Sequence, residues 1–393
     1  MKIHVCIVSE QILANLIPAL MERPEKVWLV CSQEMTGRKL DRRLKKQLER
    51  ESIAVEIRAD APDAGMAAIQ EFAFNLLAEI EKEHPGAEIT LNSTGGTKLM
   101  SMGFVEMFRR IAHKIIYTDT QHRCIERLPD GTGTSHPSLP MTDVLNVSMY
   151  LAAQGFVPGR TLSDQPGWRD AANARKVAAK YLGKNAEPLG SFIGVINALA
   201  GQALQRDADS RSETLAAPRQ DLRETPRGEW ANALRELAKA GLVGWQERSR
   251  EIIFIDVERT QFLRGGWLEE YAWHVVHDEK PCDARLSVPV TRDDGNSSEN
   301  QFDVLATHGN QLLVIECKTL KFNPGENDNE LAYKLDSLGK LARGLFGETW
   351  LLSAREPTPM LAERARTNRI RLIGPAELPK LREAVQAWMR GKR

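Results

Sequence analysis

Residues 301–319 read QFDVLATHGNQLLVIECKT, and the fold of the C-terminal part of the chain turns on them. Val304 and Leu305 lie in one short apolar run, and Leu312, Leu313, Val314 and Ile315 form a second. His308, Gly309 and Asn310 stand between the two. This is the pattern of two strands joined by a tight turn, the second apolar enough for a core strand. Into this hairpin are set Asp303, Glu316 and Lys318. Side chains alternate along a strand, so Glu316 and Lys318 share one face while Cys317 points the other way. A carboxylate inside an apolar hairpin is costly unless a cation or donors compensate it. Two carboxylates converging with a lysine at a sheet edge therefore point to a divalent-metal site. The competing reading is a surface hairpin carrying an ordinary Glu–Lys pair.

Upstream, FLRGGWLEEYAW (262–273) reads as a helix started by glycines, with Trp267, Leu268, Tyr271 and Val275 at helical spacing and Glu269 and Glu270 among them. A helix glutamate, an aspartate closing SENQFD (298–303), and ExK on the next strand together resemble the PD-(D/E)xK nuclease superfamily. The resemblance implies that Glu269, Asp303, Glu316 and Lys318 are catalytic, and that Asp303 and Glu316, with Glu269, hold Mn²⁺ or Mg²⁺. Gln301 departs from the pattern, since related nucleases often carry Glu there. Glu299 is a partial substitute, which leaves the number of metals open. Beyond the hairpin, a helix is expected over Asn329–Phe346, its Tyr333, Lys334, Lys340 and Arg343 suited to a phosphate backbone. Thr349–Leu352 and Ile370–Ile373 read as strands, and Met360–Asn368 and Leu378–Met389 as helices.

The chain has 393 residues, 42% of them hydrophobic, enough to bury cores for two or three domains. Lys plus Arg and Asp plus Glu number 53 each, so net charge decides nothing about nucleic acid. The five cysteines include no CxxC pair, which suits a reducing compartment and offers no zinc site. No run has the character of a signal peptide or the length of a membrane span, so a cytoplasmic protein without membrane contact is expected.

Residues 1–150 alternate strand and helix: Ile3–Val8, Lys26–Cys31, Val55–Ile57, Ile89–Asn92 and Lys114–Tyr117 as strands, with helices between them. Such alternation predicts a mostly parallel, doubly wound sheet whose ligands sit beyond the carboxyl ends of the strands. One loop there, Asn92-Ser-Thr-Gly-Gly-Thr-Lys98, lies between strand and helix. Gly95 and Gly96 allow a tight turn, and the amides of Thr97 and Lys98 can meet an anion. The loop has neither Walker A nor GxGxxG spacing. A glycine turn with a threonine cap is the plainer reading. Ser9 and Gln11, at the tip of the first strand, are a weaker candidate for reading a base or ribose. A basic helix over Thr36–Arg50 carries Leu40, Leu44 and Leu48 as its apolar stripe, and its charges suit an ordinary solvated face.

The Ser-x-Gln strand tip and the NSTGGTKLM loop together resemble the CRISPR-associated Rossmann-fold (CARF) sensor domain. Joined to the nuclease motif, the chain resembles the ancillary nucleases of type III CRISPR defence. That resemblance implies an α/β chain with a CARF sensor over 1–150, a linker and winged-helix-like unit over 151–260, and a PD-(D/E)xK, restriction-endonuclease-like domain over 261–393. In the sensor it implies that Ser9, Gln11, Asn92, Thr94, Gly95, Gly96, Thr97 and Lys98 bind a cyclic oligoadenylate, the tetra-adenylate ring first. It further implies a homodimer that cuts RNA or DNA when the ring is bound. In the central unit, Gln205–Pro226 reads as a charged, proline-bearing linker. Gly228–Ala240 with the following hairpin has the outline of a winged helix, expected to pack rather than read bases. The alternative is a ligand-responsive winged-helix transcription regulator with a non-catalytic nuclease fold.

Overall fold

The computed structural model describes residues 1–120, 122–129, 133–207, 212–293, 300–319, 344 and 347–391. The chain forms two compact units, Met1–Val157 with Arg292–Gly295, and Pro158–Thr291 with Asn296–Arg393. Among the described residues no helix is long and apolar enough to cross a membrane.

The first unit is built from β1 (Lys2–Ile7), α1 (Leu13–Glu22), β2 (Lys26–Val30), α2 (Gln33–Gly37), α3 (Leu40–Arg50), β3 (Ala54–Arg58), α4 (Met66–Glu83), β4 (Glu88–Asn92), α5 (Lys98–Phe108), β5 (Lys114–Asp119), β6 (Cys124–Arg127), β7 (Leu139–Pro140) and α6 (Val147–Ala153). Its sheet runs β3-β2-β1-β4-β5-β6-β7. The first five strands are parallel, as the alternation predicts. The sheet is nevertheless mixed, because β6 and β7 add on antiparallel. The short connection after β5 leaves no room for the crossover a parallel neighbour needs. Ile3, Val5, Ile7, Trp28 and Leu91 are fully buried, as expected of strands covered on both faces.

The single basic helix expected over Thr36–Arg50 is two helices, broken where Lys39 takes a left-handed φ of 59°. Three of its cations have partners. Arg43 forms a bidentate pair with Asp293 at 2.8 Å on both arms, Arg38 pairs with Glu10, and Lys45 pairs with Glu49.

The short strand β8 (Phe156–Pro158) leads into the second unit, which opens with α7 (Trp168–Lys184) and α8 (Gly190–Ala203). Next come β9 (Leu204–Arg206), β10 (Glu213–Leu215), β11 (Arg219–Asp221), α9 (Gly228–Lys239), β12 (Val243–Trp245) and β13 (Glu251–Phe254). The 205–226 stretch is therefore not a linker throughout. β9 and β10 form a hairpin, and β11 joins a three-stranded sheet in the order β11-β13-β12. Two of its charges make cross-links, Glu213–Arg264 and Arg219–Glu251. With α9 this sheet has the winged-helix outline.

The second unit continues with α10 (Val257–Gln261), a π-turn over Phe262–Gly266, α11 (Trp267–Asp278), β14 (Asp283–Arg292), β15 (Asn300–His308), β16 (Gln311–Lys318), β17 (Gly347–Ser353), α12 (Pro359–Thr367), β18 (Ile370–Ile373) and α13 (Leu381–Met389). The sheet order is β18-β17-β16-β15-β14-β8. β14, β15 and β16 form an antiparallel meander, and β16, β17 and β18 are parallel. The expected tight turn is present: His308 pairs with Gln311, and Gly309 and Asn310 both have φ near +57°. Two central residues with positive φ make the turn whose twist suits a two-residue hairpin. Seven of the eight residues of β16 are buried, the pattern of a central strand. The helix expected over Asn329–Phe346, and Glu299, lie outside the described residues.

Candidate active site and sensor loop

The antiparallel register of β15 and β16 runs from His308–Gln311 to Val304–Ile315. One step further sets Asp303 beside Glu316, where the meander meets the parallel half of the sheet. Both carboxylates are buried. The Cys317 amide donates to Asp303 Oδ2 at 2.8 Å, and Lys318 Nζ donates to Glu316 Oε1 at 2.8 Å. Across the sheet on β14, the registered pairs Leu286–Val304 and Val288–Phe302 flank Ser287, whose backbone sits at φ 50°. A serine held there costs about 1–3 kcal/mol. The irregularity falls opposite Asp303, and sequence reasoning gave no sign of it.

Glu269 comes from α11, and the turn before that helix sets its approach. Gly265 has φ 154°, and a Cβ there would stand 2.8 Å from the Thr319 hydroxyl. Asn197 on α8 donates to the same hydroxyl at 2.9 Å, with both residues buried. The residue following the ExK motif is thus held between α8 and the turn that launches α11. Beside it, Arg175 on α7 binds Glu270 through two arms, at 2.7 and 3.2 Å, and Glu258 through a third contact at 2.6 Å. No motif in the sequence points to Arg175. Its signal was only one basic residue on an otherwise apolar helix face. Glu269, Arg175, Trp168, Phe262 and the 165–167 turn line a cavity of about 450 Å³.

The electrostatics set Glu269 apart. Burial, then the charges of Asp303 and Glu316, push its carboxyl up to about 8. Burial alone would lower the Lys318 ammonium, but Glu316 and Asp303 more than reverse this and raise it. Three carboxylates against one lysine leave an excess of negative charge, and that is the donor set a hard divalent cation relieves. Among the described residues no group of three His, Cys, Asp or Glu side chains is drawn together at ligand distance.

In the first unit the two sequence-selected segments meet. β1 and β4 are adjacent and parallel, with Cys6 opposite Asn92. The strand order reverses between them, and such a reversal is where doubly wound sheets bind ligands. The 92–98 loop folds back on the end of β1. A Cβ on Gly95 would lie 1.8 Å from the Ile7 carbonyl oxygen and 3.3 Å from Ser9 Oγ, so only glycine fits. Gly96 takes a φ of 74°. Asn92 is fully buried and uses its amide internally: Nδ2 donates to Ala14 O at 2.9 Å, and Oδ1 accepts from the Thr94 amide and hydroxyl. Thr94 Oγ1 in turn accepts from the Thr118 amide at 2.8 Å. Thr97 caps α5, accepting from the Met100 amide. Gly96, Thr97 and Lys98 are exposed, and Ser9 and Gln11 are partly exposed. The loop thus divides into a fixed base, Asn92 to Gly95, and an open rim, Gly96 to Lys98.

Two family models match in chain order, the Card1 CARF domain over residues 3–150 and the Card1-like endonuclease domain over 256–392. They define a CARF sensor domain fused to a PD-(D/E)xK-like nuclease domain. The chain belongs to the Card1-like family of type III CRISPR ancillary nucleases. Among solved structures it is similar to protein VC1899 from Vibrio cholerae, at 23% identity and TM-score 0.81, covering 100% of this chain and 98% of that one. It is also similar to Can2 from Sulfobacillus thermosulfidooxidans in complex with cyclic tetra-adenylate, at 24% identity and TM-score 0.75, covering 99% and 97%. A type III CRISPR defence DNA nuclease activated by cyclic oligoadenylate matches at 14% identity and TM-score 0.53, covering 91% of this chain and 46% of its own. These likenesses show the fold. No curated protein matches the chain.

Proposed function

We propose that the chain is a metal-dependent endonuclease that cuts RNA or DNA when cyclic tetra-adenylate occupies its sensor domain. The observation that carries this reading is the half-buried Glu269 set against the buried Asp303 and Glu316, with Lys318 at the sheet edge. A scaffold gains nothing from a cluster that holds one of its own carboxyls at about 8. Asp303 and Glu316 would hold Mn²⁺ or Mg²⁺, with Glu269 contributing from α11. When bound, the cation supplies a water of lowered pKa and offsets charge on the phosphate. Lys318, tied to Glu316, keeps a positive charge beside the scissile phosphate or orients the attacking water. Thr319, held by Asn197 against Gly265, fixes the spacing of hairpin and helix. The ring would lie over the β1–β4 reversal. Ser9, Gln11, Gly96, Thr97 and Lys98 would contact it from the rim, while Asn92, Thr94 and Gly95 shape the loop from beneath. A ring of repeated nucleotides is best read by a repeated surface, so the sensor is expected to act as a homodimer. Light scattering that gave a single-chain mass in the presence of the ring would exclude the pairing.

The test mixes purified protein with Mn²⁺ or Mg²⁺ and three labelled substrates: RNA, single-stranded DNA and supercoiled plasmid. Each is run with and without a panel of cyclic oligoadenylates. Cleavage is expected only when both metal and ring are present. Full activity of Glu316→Gln at saturating ring would overturn the assignment.

A further inference from the structure

A second, larger concavity lies in the same unit as the catalytic hairpin. It encloses about 1250 Å³ between α8, the 221–227 segment and the start of α9, lined by Val195, Leu199, Trp230, Arg223, Arg227 and Arg250 among others. The guanidinium groups of these three arginines form no ion pair or hydrogen bond among the described residues. Elsewhere on the winged-helix outline Arg219 pairs with Glu251, Arg235 with Glu247 and Lys239 with Glu236, whereas Arg248 on the β12–β13 turn makes no ion pair among the described residues. Three of the unpaired cations are gathered in the groove. Asp221 and Glu224 also line it, and neither is bonded to an arginine, so the lining carries three cations against two anions. Trp230 is half-buried, its ring edge against Phe192 at 5.6 Å. Unpaired arginines around an aromatic side chain in a groove are what binds single strands through backbone charge and stacking.

Position links the groove to the chemistry. Ala198 and Leu199 of α8 line it, while the adjacent Asn197 bonds Thr319, one residue beyond Lys318. A helix is about 10–12 Å across, so the groove and the end of the ExK motif lie about one helix diameter apart. We propose that this groove holds the sugar-phosphate backbone of single-stranded nucleic acid on one flank of the scissile phosphate. The proposal rests on the nuclease reading and adds a substrate tract to it.

The experiment uses the full chain carrying Glu316→Gln, so that binding is read without cleavage, with cyclic tetra-adenylate and Mn²⁺ present. Fluorescence anisotropy of labelled single-stranded RNA and DNA oligonucleotides is followed from 50 to 200 mM salt. Each phosphate contact on a single strand contributes about 0.7 to the slope of log affinity against log salt. Losing three contacts in Arg223→Gln/Arg227→Gln/Arg250→Gln should therefore flatten the slope by about 2. Across this fourfold salt range the parent should lose about 20-fold more affinity than the triple variant. Arg235→Gln/Lys239→Gln, which removes paired charges outside the groove, should leave the slope as it was. An unchanged slope in the triple variant, an equal change in the control, or no oligonucleotide binding at all overturns the proposal. So does a poly-glutamate peptide that alone loses affinity in the triple variant, since the groove would then fit an acidic protein segment. If the unmutated enzyme binds strands but never cuts them, the catalytic reading falls, and the groove is still judged on its slope.

Discussion

Glu269→Gln isolates what the carboxylate cluster costs the fold. In the metal-free protein, burial and the charges of Asp303 and Glu316 move the Glu269 carboxyl from an ordinary 4.5 up to about 8. A group whose pKa is raised by folding makes the native state bind more protons than the unfolded chain between the two values, so stability falls as pH rises through that window. Here the window is pH 4.5 to 8. At about 1.4 kcal/mol per pH unit the full displacement is worth about 5 kcal/mol. Sharing of the repulsion among three carboxylates and partial solvent access bring the expected effect to about 2–4 kcal/mol. Glutamine has nearly the same shape and never ionises. With a chelator present, Glu269→Gln should therefore be more stable than the parent by that amount at pH 9 and about equal to it at pH 4.5. Urea titration followed by tryptophan fluorescence reads the relevant unit, because seven of the eight tryptophans, all but Trp28, lie in the second one. Mn²⁺ at pH 9 should restore the parent and do little for the variant. No advantage at pH 9, or the same advantage at pH 4.5, would refute the electrostatic reasoning.

Lys318→Ala should keep metal affinity in calorimetry yet lower ring-stimulated cleavage by about 10²–10³-fold, the scale of a lost electrostatic donor; Asp303→Asn and Glu316→Gln should lose both. Lys98→Ala, an exposed change on the open rim of the sensor loop, should weaken cyclic tetra-adenylate by about 1.5–3 kcal/mol, or 10- to 150-fold, in a calorimetric titration. Unchanged affinity would remove Lys98 from the site. His274 is buried and bonded to the Ala172 carbonyl, and burial pulls its pKa down to about 4. The neutral ring is thus the folded form, and its stabilisation, present above pH 6.5, should fade as pH falls towards 4, by about 2–3 kcal/mol. Urea titrations in the Glu269→Gln background, where the opposing slope is absent, measure this, and a flat profile would count against a buried neutral His274.

Most of the second unit's candidate site was legible because three of its four residues sit on one hairpin. ExK on a run as apolar as Leu312–Ile315 already dictates which side chains share a face, and GlyAsn at 309–310 dictates the turn. What was not legible depends on residues distant in sequence. Nothing local to Thr319 says that Asn197, 122 positions away, will hold it, and nothing near Ser287 announces a positive φ. In the sensor loop the spacing found the segment but not the division of labour within it. Asn92 looked like a ligand contact in the sequence, whereas its amide is committed to Ala14 and Thr94. The 205–226 stretch misled because its charges resembled those of a disordered linker. Glu213 and Arg219 are in fact paired with residues on neighbouring segments.

The adjacent glutamates of α11 show how the fold separates structural from chemical charge. Glu269 and Glu270 follow one another on the same helix, and both carboxyls are raised by burial. For Glu270 the fold supplies a remedy: Arg175 grips it with two arms and pulls its pKa back towards the ordinary range. Glu269, one residue earlier and about 100° round the helix, is raised further by Asp303 and Glu316, with Lys318 opposing them only in part. A sequence selected for stability alone would have no reason to solve one burial problem and worsen the other a single residue away. The unequal treatment makes sense if Arg175 anchors the helix through Glu270 so that Glu269 can stay under-compensated until a cation arrives. Exchanging the two fates tests the point. Arg175→Met should destabilise the unit, because it strands a buried carboxylate, by about 3–5 kcal/mol, whereas Glu269→Gln should stabilise it. If both substitutions destabilised the metal-free protein at pH 9, Glu269 would be a structural residue like its neighbour.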